Sequence, residues 1–353
     1  MNAKTGPGEA PPGHTPVRLA ELELSQQLPA IKAGNSSLDV PYGAVQCLVR
    51  LHGTPLGFMV ADLPPEGLDS AQVADAIWGQ LGDSIAAHLR ADGLPAPERL
   101  DAAGVPSTDS PPCLRRREEF LDEPPFLSVV VPTKNRPEGV AATVRGIVAG
   151  SYPRERYEVI VVDNASGEDA VIAREDFDVP GDVSLALVRE PVPGGSNARN
   201  RGIAESRGEI IVCADDDVDA DRDWLATMAA PFAADPKVGG VAGLTVPSEL
   251  ETQAQLWFEG FGGFMRGFER RVYDVAEPPA DRPLFPFTVG DFGSGQNMAF
   301  RRDALEEVGG FDPVLGTATV TLAGEDLELM LRILLAGRRV VRRCRRRGAR
   351  IPA

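Results

Sequence analysis

Two kinds of hydrophobic spacing divide this chain. Early on, Ala44-Val45-Gln46-Cys47-Leu48-Val49-Arg50-Leu51 reads as a strand, and Leu56-Gly57-Phe58-Met59-Val60 as its hairpin partner across His52-Gly53-Thr54-Pro55. The apolar positions Val73, Ile77, Leu81, Ile85 and Leu89 then recur every fourth residue, which predicts a helix from Ser70 to Leu89 with Ser70 as its N-cap. From Phe126 the texture changes to short β-branched runs alternating with helical spacing. Leu127 to Val131, Glu158 to Asp163, Val183 to Val188 and Glu209 to Ala214 read as strands. Val140, Val144, Ile147 and Val148 share one helical face between the first two, and a helical stretch near Asn197 to Ser206 separates the last two. This alternation predicts an α/β fold with a mostly parallel sheet flanked by helices, whose ligands bind beyond the carboxyl ends of the strands.

The same pattern marks out five segments: a disordered leader over 1–16, a small N-terminal accessory α+β module over 17–93, a Pro- and charge-rich linker over 94–125, the α/β domain over 126–341, and a basic tail over 342–353. At 353 residues, 43% of them hydrophobic, the chain can bury a sizeable core. A net charge of -16 argues against nucleic acid as a partner, because a polyanion meets repulsion over most of the surface. Cys47, Cys113, Cys213 and Cys344 are widely separated without a CxxC pair, so spacing indicates neither a zinc knuckle nor a disulfide framework. With no apolar region in Met1 to Pro16 and no run of about 20 apolar residues, the expectation is a cytoplasmic protein.

The chemistry gathers where the strands end. The first strand runs into Pro132-Thr133-Lys134-Asn135-Arg136-Pro137, the second into Asp163-Asn164-Ala165-Ser166, and the fourth into Asp215-Asp216-Asp217. If the chain stays extended there, Asp215 and Asp217 project to one side, as an oxygen-ligand pair for a hard divalent cation would. An acidic triplet by itself is as readily a solvated turn. Gly194 to Gly202 is a glycine turn opening a helix, whose amides and Arg199 could meet a diphosphate; alone it could be a helix cap. Further on, Gly293 to Arg302 joins a flexible turn to a strand-like tail, and Gly324-Glu325-Asp326 precedes the apolar helix from Leu327 to Leu335. Acids at a helix start serve the dipole or, when functional, act as a general base.

Taken in order, Pro132-Thr133-x-Asn135-Arg136, Val162-Asp163-Asn164-x-Ser166, Gly195-x-x-x-Arg199-Asn200-x-Gly202, Asp215 to Asp217, Asn297-x-Ala299-Phe300-Arg301 and Gly324-Glu325-Asp326 resemble an inverting glycosyltransferase of family 2. The resemblance covers roughly Leu127 to Val341 and implies the Rossmann-like GT-A fold. It implies a nucleotide-diphosphate sugar donor, most commonly a UDP-sugar, with Mn2+ or Mg2+ held by Asp215 and Asp217. Donor contacts would come from Pro132, Thr133, Asn135, Arg136, Asp163, Asn164, Gly195, Arg199, Asp215 and Asp216. Asp326 would be the catalytic base, with Glu325 as neighbour and alternate. Gly295, Asn297 and Trp257 would form the acceptor side, although any one aromatic in that region is as readily core.

Two features depart from the family. Many relatives carry a histidine beyond the base's helix that reaches the metal, whereas the histidines here are His14, His52 and His88, all upstream. The final segment instead reads Arg338-Arg339-Val340-Val341-Arg342-Arg343-Cys344-Arg345-Arg346-Arg347, which would suit either a solvated tail or peripheral contact with anionic lipid at the inner face of a membrane. The acceptor on this reading is a lipid-linked sugar or a polysaccharide. A nucleotide-sugar-binding protein with little turnover is the alternative function, and a nucleotidyltransferase ranks below both, because Pro132 to Pro137 is not a glycine-rich basic loop.

Overall fold

The structure, a computed structural model, describes residues 15–105, 110–167, 170, 172–264 and 267–344. The expected leader, apart from its last two residues, and the expected tail beyond residue 344 lie outside the described residues. The described residues divide into two compact units, the first within 15–116 and 245–268 and the second within 117–244 and 269–344.

In the first unit, β1 (Val17–Glu23) pairs in parallel with β2 (Ala44–Leu51), which pairs antiparallel with β3 (Thr54–Asp62). The hairpin turn is shorter than the four residues expected. His52 and Gly53 both adopt positive φ (54° and 73°), the geometry of a two-residue turn matched to strand twist, and Thr54 already pairs with Leu51. Helix α1 (Ser70–Ala91) buries Val73, Ile77, Leu81, Ile85 and Leu89, as the four-residue spacing requires. Its N-cap is Asp69 rather than Ser70: Asp69 accepts from the amides of Ala71 and Gln72 while the Gln72 side chain accepts from the Asp69 amide. Strand β1 escaped the sequence reading because its alternation is broken by Ala20 and Glu21.

Two boundaries also differ from expectation. Helix α2 (Pro112–Asp122) lies inside the stretch read as a linker, its charged sequence having hidden it. Residues 245–268, expected in the α/β domain, pack with the first unit. Val17 bridges Leu250 there, and Glu251 accepts hydrogen bonds from the Ser37 amide (2.7 Å) and the Tyr42 hydroxyl. The segment carries helix α6 (Gln253–Gly260).

The second unit is the α/β layer structure. Strands β4 (Leu127–Thr133), β5 (Tyr157–Asn164), β6 (Ser184–Glu190), β7 (Ile210–Ala214), β8 (Val238–Ala242), β9 (Glu269–Tyr273), β10 (Asn297–Arg301) and β11 (Arg339–Cys344) form one sheet in the order β6-β5-β4-β7-β10-β8-β11-β9. Only β10 and β9 run against the rest. Helices α3 (Pro137–Val148) and α5 (Trp224–Ala234) cover one face, and α4 (Gly195–Glu205), α7 (Arg302–Val308) and α8 (Glu325–Leu335) the other. Strand side chains alternate accordingly: Val129, Val131, Val159, Val161 and Val212 point into the first core, and Val130, Ile160, Val162, Ile211 and Cys213 into the second. A sheet buried on both faces explains why these strands are unbroken apolar runs and stood out in the sequence. Arg342 to Cys344, expected in the tail, continue β11.

Glycine sets how closely α4 lies on the sheet. A Cβ on Gly202 would stand 2.3 Å from Val130 Cγ1 and 3.2 Å from Val162 Cγ2, so the helix rests its backbone on β4 and β5. Its N-terminus is thereby held beside the carboxyl ends of those strands.

Candidate active site

Parallel strands bring their polar ends to one edge. Beyond β4 and β5, the Ser166 hydroxyl accepts the Asn135 amide (2.9 Å) and Asn135 Oδ1 accepts the Gly167 amide (2.9 Å), tying the two loops together. Asn135 has φ 55°, a left-handed conformation that Asn tolerates better than most residues. Asp163 and Asn164 are buried at the end of β5. Asp163 caps Ser166 N (3.1 Å) and pairs with Arg189 (3.4 Å), while Asn164 accepts the Gly194 amide (2.8 Å) and donates to Val192 O (2.8 Å). Asn164 thus shapes the turn that opens α4.

The aspartate triplet is not an extended run. The chain leaves β7 at Ala214 and turns at Asp216 and Asp217, and the three carboxylates have different surroundings. Asp216 turns inward, buried, and both of its oxygens are occupied, by the Thr133 hydroxyl (2.6 Å) and Arg136 Nη1 (2.8 Å). Asp217 is exposed and shares that guanidinium (3.0 Å). Asp215 pairs through Oδ1 with Arg199 Nη2 (2.8 Å). Burial raises the Asp215 pKa against the lowering pull of Arg199, with the Asp217 and Asp216 charges adding to the rise.

Arg199 is the centre of the network. It is buried, its guanidinium lies 5.6 Å from the Phe311 ring centroid, and its other terminal nitrogen pairs with Glu325 at 2.9 Å. While the buried Nε has no hydrogen-bond partner, both terminal nitrogens thus pair with carboxylates. Gly195 is similarly engaged, its amide donating to Thr317 Oγ1 (3.0 Å). Thr317 and Arg189 were not anticipated from the sequence: Thr317 sits in a loop with no periodic pattern to mark it, and Arg189 lies near the end of β6, beyond the run read as that strand.

The structure separates Glu325 from Asp326. Glu325 is buried and held by Arg199, with Gly316 so close that a Cβ there would stand 2.8 Å from its Cδ. Asp326 is partly exposed and lies against Gly295, where a Cβ would come within 2.8 Å of Oδ2. Burial raises the Asp326 pKa, and the Glu325 charge adds to this; the Leu327 amide and Arg199 pull the other way. Asn297 has its amide occupied: Oδ1 accepts from Trp224 Nε1 (2.9 Å) and Nδ2 donates to Leu244 O (2.8 Å), which makes it a brace at the start of β10. Trp257 belongs to the first unit and is exposed.

The donor set suits a hard cation that phosphate oxygens help to coordinate. Asp215 and Asp217 each keep one carboxylate oxygen outside the contacts described, whereas Asp216 keeps none. The network holds six carboxylates (Asp163, Asp215, Asp216, Asp217, Glu325 and Asp326) against three arginines, Arg136, Arg189 and Arg199. The site therefore carries a surplus of negative charge that a bound cation would offset.

The chain is similar to known proteins over much of its second unit. The profile of glycosyl transferase family 2 matches residues 128–309, just over half of the chain. A glucosyl-dolichyl phosphate glucuronosyltransferase of Haloferax volcanii is 29% identical over 196 residues, 54% of this chain and 57% of that protein. A probable glycosyltransferase of Bacillus subtilis, YdaM, is 27% identical over 233 residues, 62% of this chain and 49% of its own. Among solved structures, a mannosyltransferase from Pyrobaculum calidifontis in complex with GDP-Man and Mn2+ is 27% identical with a TM-score of 0.43, over 64% of this chain and 59% of that one. The chain spans about half the length of the curated relatives it matches.

Proposed function

Because this chain belongs to glycosyl transferase family 2, we propose that it transfers a sugar from a nucleotide-diphosphate donor to an acceptor hydroxyl in a single displacement that inverts the anomeric carbon. The observation that carries this reading is the Asp215–Arg199–Glu325 bridge, which joins the end of β7 to the start of α8 and so couples the donor-side acids to the residue beside the base. Asp326 accepts the proton of the attacking hydroxyl. Its partial burial and its place against the Gly295 backbone suit that role, while Glu325, spent on Arg199, positions the helix start.

On the donor side, the loops after β4 and β5 form the nucleoside pocket, with Thr133 and Arg136 holding Asp216 in place. Asp215 and Asp217 hold Mn2+ or Mg2+, which when bound offsets charge on the departing diphosphate. A UDP-sugar is the first donor to test, and a lipid-linked sugar the first acceptor, since one relative is named for a dolichyl phosphate substrate. A thermal-shift screen of UDP-, GDP- and dTDP-sugars with and without Mn2+ tests pocket and metal together. One donor should raise the melting temperature only with metal, and Asp217→Ala should abolish that dependence. No shift with any donor would sink the reading, and a shift without turnover on a broad acceptor panel would move it to a nucleotide-sugar-binding protein.

A further inference from the structure

Within the first unit, four potential ligand atoms converge on one point. His52 Nδ1 and His88 Nε2 are 3.2 Å apart, and Cys113 Sγ is 3.4 Å from the first and 3.6 Å from the second. Asp92 Oδ2 lies 3.8 Å from His52 Nδ1 and 3.7 Å from His88 Nε2. All four atoms fall within 4.8 Å of one another, the only such group of His, Cys, Asp or Glu among the described residues. His52 and Asp92 are buried, and Asp92 Oδ2 has no partner of hydrogen-bond geometry although it is shut off from water.

We propose that His52, His88, Asp92 and Cys113 form a structural zinc site. Tetrahedral Zn2+ has bonds of about 2.0–2.3 Å to nitrogen, oxygen and sulfur, so its ligand atoms stand about 3.3–3.8 Å apart. Five of the six distances, 3.2–3.8 Å, follow that spacing, and the sixth, from Asp92 Oδ2 to Cys113 Sγ, is within 4.8 Å. Two imidazoles, a thiolate and a carboxylate form a borderline-soft set that favours zinc over the hard cations suited to the aspartates of the second unit. Four protein ligands in a buried setting close the coordination sphere, which marks the site as structural.

The fold builds each ligand in. His52 sits at positive φ in the β2–β3 turn, whose two amides are held by Glu23 (His52 N to Oε1 3.0 Å, Gly53 N to Oε2 2.8 Å). His88 and Asp92 are four residues apart at the end of α1 and so share one helix face. Arg116 takes Asp92 Oδ1 at 2.7 Å, which orients the carboxylate and leaves Oδ2 directed at the cluster; such outer-sphere support is usual for metal ligands. Cys113 lies in the first turn of α2. The ion would fasten that turn to the end of α1 and to the hairpin. Binding balances as follows: both imidazoles coordinate neutral, with protons on His52 Nε2 and His88 Nδ1, and the thiol loses its proton to solvent. One thiolate and one carboxylate then neutralise Zn2+. Because the thiol must lose its proton to bind, affinity should rise with pH.

The test uses the full chain, stripped with a chelator and titrated with Co2+. A thiolate-to-cobalt charge-transfer band should grow, saturate at one equivalent, and bleach when Zn2+ is added. The acids of the second unit offer only oxygen and cannot produce that band. Cys113→Ser should abolish it and lower Zn2+ affinity by more than about 100-fold, and Asp92→Asn should weaken affinity while keeping the band. No band in the folded wild-type chain would overturn the proposal and leave a hydrogen-bonded cluster, and the wild-type titration decides this even if a variant fails to fold. A band that persists in Cys113→Ser would overturn it as well.

Discussion

Replacing Arg199 by Met keeps an apolar stem against Phe311 but removes the cation between Asp215 and Glu325. The Arg199 side chain is 7% exposed and that of Glu325 is 9%, so this pair is buried; Asp215, at 37%, is partly open to water. Removing one partner of a buried pair costs about 3–5 kcal/mol, because the other charge is left without compensation. The more exposed Asp215 contact adds at most about 1 kcal/mol. Arg199→Met should therefore destabilise the second unit by about 3–5 kcal/mol, and Arg199→Met with Glu325→Gln should recover more than half of that. Urea unfolding followed at Trp224, with Trp78 and Trp257 replaced by Phe, isolates the transition of this unit. The pH dependence has a definite sign: burial raises the Asp215 pKa and Arg199 lowers it, so without Arg199 the loss of stability should shrink as the pH falls. A loss below about 1 kcal/mol, or a double variant no more stable than the single one, would refute Arg199 as the cation that holds these acids together.

Asp326→Asn should lower kcat by about 100- to 10,000-fold with little change in the KM for donor, since a general base acts on the attacking hydroxyl alone. Burial raises the Asp326 pKa above its usual 3.8 and only the ionised form accepts a proton, so wild-type turnover should fall as pH drops through that raised value; a rate unchanged in the variant excludes the role. Gly202→Ala should cost about 1–3 kcal/mol through the clash with Val130 and Val162, measured by the same urea transition, and Val130→Ala in the same chain should restore part of it.

What could be read in the sequence was whatever is local. Strands β4, β5 and β7 showed themselves because burial on both faces demands unbroken apolar runs, and α1 and α3 because one buried face imposes a helical period. Polar residues following such parallel strands emerge at one edge, which is where Thr133, Asp163 and Asp215 lie. Long-range pairing left no local trace. Glu325 and Arg199 are 126 positions apart, and nothing near either residue announces the other. The zinc-like cluster draws its ligands from a turn, a helix end and a second helix spread over residues 52–113, and its spacing matches no metal-binding motif.

The same distinction resolves the aspartate triplet. From an extended chain, alternation made Asp215 and Asp217 equivalent and left Asp216 as a bystander. The turn at Asp216 breaks that equivalence. Asp216 becomes the buried anchor, held by Thr133 and Arg136; Asp215 is tied to the start of α8 through Arg199 and Glu325; and Asp217 stays exposed, with one oxygen on Arg136. A cation held by Asp215 and Asp217 would thus sit between a residue coupled to α8 and one coupled to the loop after β4. Arrival of the donor and placement of the base would then share one electrostatic network, in which Arg199 balances the acids and the diphosphate brings its own metal.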